Sequence, residues 1–181
     1  MNNKKFAIIS IFTALVIVLQ VIATYVNFGG FPITLTLIPI IISGAVYGIN
    51  MGSLMGLVFG AVVSIMVIIG ADPSGAVMFA SRPIITVLTC LIKGAVGGGL
   101  GAFVYKKISN KKISIVVDAI VTPIINTAIL YISLIIFFDS SFTAMVAAFM
   151  SINFIIELLI NILLAPGLTN IINRAKSRQV Q

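Results

Sequence analysis

The chain of 181 residues is 60% hydrophobic and only 8% charged, where an ordinary soluble domain carries roughly 25% charged residues; a soluble fold cannot hide that much apolar surface. The net charge of +7 does not mark a nucleic-acid binder, because the Lys and Arg residues sit in short clusters between apolar runs rather than along a basic face with aromatics. With no histidine and one cysteine, Cys90, inside an apolar run, there is no internal disulfide and no metal-ligating set, so neither a cofactor nor enzymatic activity is expected.

At about 20 apolar residues per crossing the length suits about six spans, and the expected fold is an all-α membrane protein: six transmembrane helices in one compact bundle, a single integral membrane domain over 1–181. Lys4 and Lys5 precede an apolar stretch that resembles a signal peptide but is too long and lacks a small-x-small cleavage site; it is read as a retained first helix, near 6–26. No charge occurs from Phe6 to Ala71, so the turns are read from Gly, Pro and Asn. Asn27-Phe28-Gly29-Gly30-Phe31-Pro32 separates helix 1 from helix 2, near 33–49, in which Pro39 predicts a bent or partly re-entrant span. Asn50-Met51-Gly52 turns into helix 3, near 53–70.

Ala71-Asp72-Pro73-Ser74-Gly75 opens a polar loop that runs to Arg82-Pro83, and helix 4 follows, near 83–105. Lys106, Lys107, Lys111 and Lys112 form a basic turn before helix 5, near 113–138; residues 139–143 turn into helix 6, near 144–172, with Pro166-Gly167 expected to bend its inner end. No internal repeat is found. Under the positive-inside rule, Lys4, Lys5, the four-lysine turn, Arg174, Lys176 and Arg178 share one side, which places both termini in the cytoplasm; Arg82 alone falls on the other side.

A charge at bilayer depth costs about 2.5–3.5 kcal/mol on insertion scales and needs a partner, a cavity or a route to the interface. Lys93 on helix 4, Asn126 on helix 5 and Glu157 on helix 6 are each expected about 17–20 Å below the outer helix ends, by the helical rise, and so at one depth. Asn153, Glu157 and Asn161 recur every four residues and share one face, which must look into protein or water. They line a binding site with Lys93, Asn126 and the outer loops, or they are a Lys93–Glu157 ion pair and amide hydrogen bonds that hold helices together. Asp118, near Lys111 and Lys112, is read as one half of an interfacial ion pair. Arg82, at the outer mouth of helix 4, attracts an anionic ligand or sits among headgroups. Thr34, Thr36, Thr86 and Thr89 are potential donors, although such residues commonly bond back to their own turn.

Small residues permit close helix approach. Gly52, Gly56 and Gly60 on helix 3, with Gly94, Gly97, Gly98 and Gly101 on helix 4, are read as internal packing; Ala7, Ser10 and Ala14 on helix 1 are read as a surface that docks another membrane protein.

With its size, its six expected spans, Ala7, Ser10 and Ala14, the glycines between Pro39 and Gly60, Cys90-Leu91-Ile92-Lys93-Gly94 and Asn153-Phe154-Ile155-Ile156-Glu157-Leu158, the chain resembles the substrate-binding S component of energy-coupling factor (ECF) vitamin transporters over nearly its whole length. The resemblance implies a multi-pass protein of the bacterial cell membrane that captures a vitamin from outside, beneath loops that here are 27–32, 71–82 and 139–143. It implies coupling to a transmembrane subunit and two ABC ATPases through helix 1, where Ser10 stands in place of a frequent alanine. The substrate-binding residues expected are Lys93, Asn126, Asn153, Glu157, Arg82 and Phe31. Lys93 and Arg82 favour a carboxylate, and the absence of tryptophan removes one stacking platform, which leans toward a pantothenate-like vitamin; Phe28, Phe31, Phe79 and Tyr131 keep folate and riboflavin open. The alternative is a membrane scaffold protein of a cell-envelope assembly complex, which needs no pocket. An intramembrane enzyme lacks a nucleophile and base.

Overall fold

In the computed structural model the described residues are 3–25, 27–28, 31–32 and 35–177. Apart from one antiparallel pair of two-residue strands, β1 (Asn27–Phe28) and β2 (Phe31–Pro32), the elements are helical: α1 (Asn3–Tyr25), α2 (Leu37–Tyr47), α3 (Ile49–Ile68), α4 (Pro73–Ser81), α5 (Pro83–Lys107), α6 (Lys111–Phe137) and α7 (Ser140–Ser177). Among the described residues α1, α3, α5, α6 and the 153–173 part of α7 are long and apolar enough to cross a membrane. The outward faces carry side chains suited to lipid, such as Ile11, Leu88, Ile135 and Leu163, all exposed.

The local signals explain most boundaries. Asn110 caps α6 by accepting from the backbone N–H groups of Lys112 and Ile113 at 3.1 and 3.4 Å, and Pro83 opens α5, where its missing N–H is harmless. Gly48, at φ 95°, adopts a conformation that favours glycine and folds α2 straight back into α3. α2 has 11 residues, about 16 Å of rise, roughly half the hydrocarbon thickness. Because it starts at Leu37, Pro39 falls in its first turn, where no intrahelical N–H bond is lost; the bend expected at Pro39 has no cause.

The segment expected to be a polar loop at 71–82 is largely the helix α4. Asp72 is its N-cap, accepting from Gly75 N–H at 3.2 Å and Ser74 Oγ at 2.8 Å, and Pro73 occupies the first helical position. α4 lies across the ends of α3 and α5 and points Met78 into a cluster with Leu130, Leu134 and Val146, while Phe79 packs on the main core. It therefore roofs the end of the bundle opposite the lysine-rich turn.

The most intimate contact is between α3 and α5, where glycines face glycines. A Cβ added at Gly56 would strike the Gly94 carbonyl, one at Gly60 the Cys90 carbonyl, and one at Gly98 the Gly52 carbonyl. Gly44 of α2 completes the seam, its Cα 3.2 Å from a Cβ built on Gly52. α6 packs on the other side of α5, α7 on α6 and α2, and α1 on α3 and α2. α2 is thus central, and its Ile40 and Ile41 share the core with Met55, Ile115, Leu168 and Ile172.

Gly56→Ala should destabilise the protein by about 1–3 kcal/mol, the usual range for overpacking, because backbone must move to admit the methyl. Gly167→Ala, in α7 with nothing within 4 Å of the added carbon, should be neutral or stabilise by up to about 1 kcal/mol. Thermal unfolding of both variants in detergent checks the contrast.

Candidate substrate-binding site

α5 carries two faces of small residues and so fixes what lies on either side of it. Gly94, Gly98 and Ala102 meet α3 and α2, whereas Gly97 and Gly101 meet α6: a Cβ on Gly97 would lie 3.6 Å from Asn126 Cβ, and one on Gly101 would collide with Asp118 Oδ1 and Thr122 Oγ1. Lys93 flanks the glycine seam, its Nζ 6.0 Å from the ring centroid of buried Phe59, at the outer limit of a cation–π contact. Asn126 is 6% exposed and Pro123, one turn before it, interrupts the helix ladder.

Cross-helix hydrogen bonds set the registers. Thr89 Oγ1 and Ser133 Oγ share one at 2.6 Å between α5 and α6. Between α6 and α7, Thr143 Oγ1 donates to Leu134 O at 3.1 Å, and Tyr131 Oη contacts Ala147 O at 3.1 Å and Ser151 Oγ at 2.8 Å. Counting inward from the Thr89–Ser133 and Leu134–Thr143 bonds at 1.5 Å per residue puts Asn126 about 5 Å below Lys93, Asn153 about 3 Å below Asn126, and Glu157 about 6 Å below Asn153. The polar groups thus form a descending column, which corrects the single depth expected. Two facts produce the difference: α7 starts at Ser140, four residues earlier than expected, and α6 lies between α5 and α7. Asn126 and Asn153 are the pair brought to nearly one level on adjacent helices.

Along α7 the stripe of Asn153, Glu157 and Asn161 turns inward. Asn161 is fully buried and its Nδ2 donates to Glu157 O at 2.8 Å; the buried Oδ1 atoms of Asn153 and Asn161 have no hydrogen-bond partner among the described residues. A buried acceptor left without a partner is rare in folded proteins and costs about 1–3 kcal/mol. Arg82 stands exposed at the joint of α4 and α5, where its carbonyl accepts from Thr86 Oγ1 at 2.8 Å. The side chains of Phe28 and Phe31, and the whole of Thr34, lie outside the described residues.

The remaining candidates are tied into the scaffold. Thr36 Oγ1 donates to Gln20 Oε1 at 2.9 Å, a buried link between α1 and α2 that rests on Gln20, a lone polar residue within an apolar run whose partner the spacing does not reveal. Thr86 bonds back to its own turn, and Thr89 joins α5 to α6. Asp118 is not the surface ion-pair partner expected. It is 1% exposed, held in the notch at Gly101 with Thr122 Oγ1 donating to its Oδ1 at 2.8 Å, and its Oδ2 has no hydrogen-bond partner among the described residues. α6 begins at Lys111, so Asp118 stands two turns, about 10 Å, up the helix, while Lys111 Nζ donates to Ile108 O at 3.2 Å. On α1, Ala7, Ser10 and Ala14 lie on the exposed face, with Ser10 Oγ donating to Phe6 O at 3.0 Å.

The family model described as the substrate-specific component of ECF transporters matches residues 4–171. No curated protein and no solved structure matches the chain.

Asn153→Leu removes an unpartnered buried acceptor, and the ligand-free protein should unfold at the same temperature or higher, by up to about 1–3 kcal/mol in stability. Thermal unfolding without added ligand measures it; a drop would show that Oδ1 has a protein partner after all.

Proposed function

Because the chain belongs to the substrate-specific components of ECF transporters, multi-pass proteins of the cell membrane that serve in uptake rather than catalysis, we propose that it captures a pantothenate-like vitamin from outside for ATP-driven import. Six crossings are proposed, with α2 as a short second crossing and both termini cytoplasmic, which sets α4 and the 139–143 turn on the outer side. The observation that carries the reading is the column beneath this roof, in which Asn153 and Asn161 hold buried oxygens without partners among the described residues. A ligand with hydroxyl and amide N–H donors satisfies such acceptors, and its carboxylate finds its counter-charge in Lys93 and, on entry, Arg82. Asn126, Glu157 and Phe31 complete the proposed site.

Pantothenate has these groups: a carboxylate at one end, an amide N–H in the middle and hydroxyls at the other. Lys93 at the top of the column and the asparagines below it follow that order along the bundle axis. Folate and riboflavin are the alternatives that the same roof admits. Coupling to the ECF transmembrane subunit and its two ABC ATPases is assigned to the face of α1 that carries Ala7, Ser10 and Ala14, small enough for a partner helix to approach closely.

Titration of the purified protein should show pantothenate binding and at least tenfold weaker binding of pantothenol, which replaces the carboxylate with an alcohol. Truncating one partner of a buried charge pair costs about 2–5 kcal/mol, so Lys93→Gln should weaken pantothenate at least tenfold and leave pantothenol nearly unchanged. Binding of a flavin alone would overturn the substrate. Ala14→Trp should keep vitamin affinity yet reduce co-purification with the ATPase module; an undiminished complex would remove α1 as the docking face.

A further inference from the structure

We propose that a second site, at the opposite end of the bundle from the vitamin, binds the headgroup of an anionic phospholipid. A cavity of about 500 Å³ lies where the α2–α3 turn meets the end of α5 and the start of α6, a volume within the range of small-ligand sites. Its polar wall comprises Tyr47, Asn50, Tyr105, Lys106 and Lys111; Val46, Ile49 and Ala102 supply apolar wall.

One of the two cations is held in place. Lys111 Nζ is held by the Ile108 carbonyl at 3.2 Å and lies 5.2 Å from the centroid of Tyr105. Tyr105 is buried and forms the floor, and its carbonyl accepts from Ser114 Oγ at 2.6 Å. Tyr47, on the wall, is braced by an edge-on contact with Phe12 of α1 at 5.9 Å. A held ammonium loses little freedom when it meets an anion. The other two lysines of the basic turn are not in this cavity: Lys107 reaches over the Phe103 ring at 5.5 Å, and Lys112 is exposed on α6.

A lipid fits the arrangement better than a free anion because of where the walls run. The lysines stand at the ends of membrane-spanning helices, and Val46 of α2, Ile49 of α3 and Ala102 of α5 line the cavity beside them. Tyrosines mark the level at which amphipathic rings meet headgroups. Charge beside apolar wall at the membrane end of the helices is the complement of an amphiphile, and basic pockets between helices on the cytoplasmic side are recognised headgroup sites. On the orientation proposed above, this rim faces the anionic cytoplasmic leaflet.

Native mass spectrometry of the full chain from mild detergent, with added phosphatidylglycerol or phosphatidylcholine, tests the site. One phosphatidylglycerol should be retained in preference to phosphatidylcholine, and inorganic phosphate should not displace it. At the usual contribution of a lysine near an anionic surface, K106Q/K111Q should weaken retention about thirty-fold, while K107Q/K112Q, which removes the same charge from the same turn, should not. Equal weakening in both double variants would reduce the effect to diffuse surface charge, displacement by phosphate would make it a small-anion site, and equal retention of phosphatidylcholine would remove the charge recognition; each overturns the proposal. Vitamin titration of the same variants keeps the two sites apart, since loss of lipid with intact vitamin binding bears on this site alone.

Discussion

The backbone contact between α3 and α5 is the constraint on which the rest of the molecule depends. Lipid tails are as apolar as leucine, so helices in a bilayer gain little from burying apolar side chains against one another, and close van der Waals packing has to hold them. Gly52, Gly56 and Gly60 against Gly94 and Gly98 bring two backbones together at a distance no side chain permits. That contact fixes the rotation of α5 about its axis. With Gly94 and Gly98 turned to α3, the residues offset by three positions, Gly97 and Gly101, must face α6, and there they make room for Asn126 and Asp118. Lys93 is likewise held at the edge of the seam over Phe59.

The polar interior sorts into two kinds of residue on the same physical ground. Ser64, Ser151 and Thr169 return their hydroxyl hydrogens to the turn below, Thr36 and Thr143 spend theirs on a neighbouring helix, and Thr89 shares a hydrogen bond with Ser133 of α6. These are structural uses of the donated hydrogen. Asn153 and Asn161 differ because each keeps a buried acceptor without a partner among the described residues, at a cost that a protein serving only as a scaffold could remove with an apolar side chain. Asp118 shares this property, but its notch is closed by Gly101 and Thr122, away from the roofed end.

Membrane class and family were legible because they rest on quantities summed over the whole chain: apolar content, the alternation of lysine clusters, and small residues at helical spacing. What sequence left out depends on single boundaries and on registers. In a stretch without charge from Phe6 to Ala71, glycine and proline are the remaining punctuation, and proline has opposite meanings inside a helix and in its first turn; at Pro39 the expected bend has no cause because the residue lies in the first turn of α2. α4 was legible in principle, since Asp72-Pro73 is a cap followed by the residue that best opens a helix, yet its shortness and polar flanks resemble a loop. Depth could not be read, because the relative height of Lys93, Asn126 and Glu157 is set by the Thr89–Ser133 and Leu134–Thr143 contacts. A four-residue error in the start of α7 moves Glu157 by about 6 Å. Asp118 was misread through the same blindness to rotation, as seven residues of separation from Lys111 says nothing of the glycine notch waiting on α5.

The division between tightly and loosely held parts follows the proposed division of labour. α2, α3 and α5 meet backbone to backbone, and closely packed elements cannot slide without breaking many contacts at once. α1 packs on this core through buried Val16, with Ile8, Ile9 and Phe12 beside it, and adds the Gln20–Thr36 hydrogen bond, a Thr13–Met55 sulfur contact at 4.0 Å and the Phe12–Tyr47 edge; its other face is open. A docking helix gains from such a mounting, since it can adjust to a partner without disturbing a site built on α5, α6 and α7. The same mounting links the two ends of the molecule: Phe12 braces Tyr47 at the basic cavity, while Gln20 anchors the entry to α2 beneath the roof.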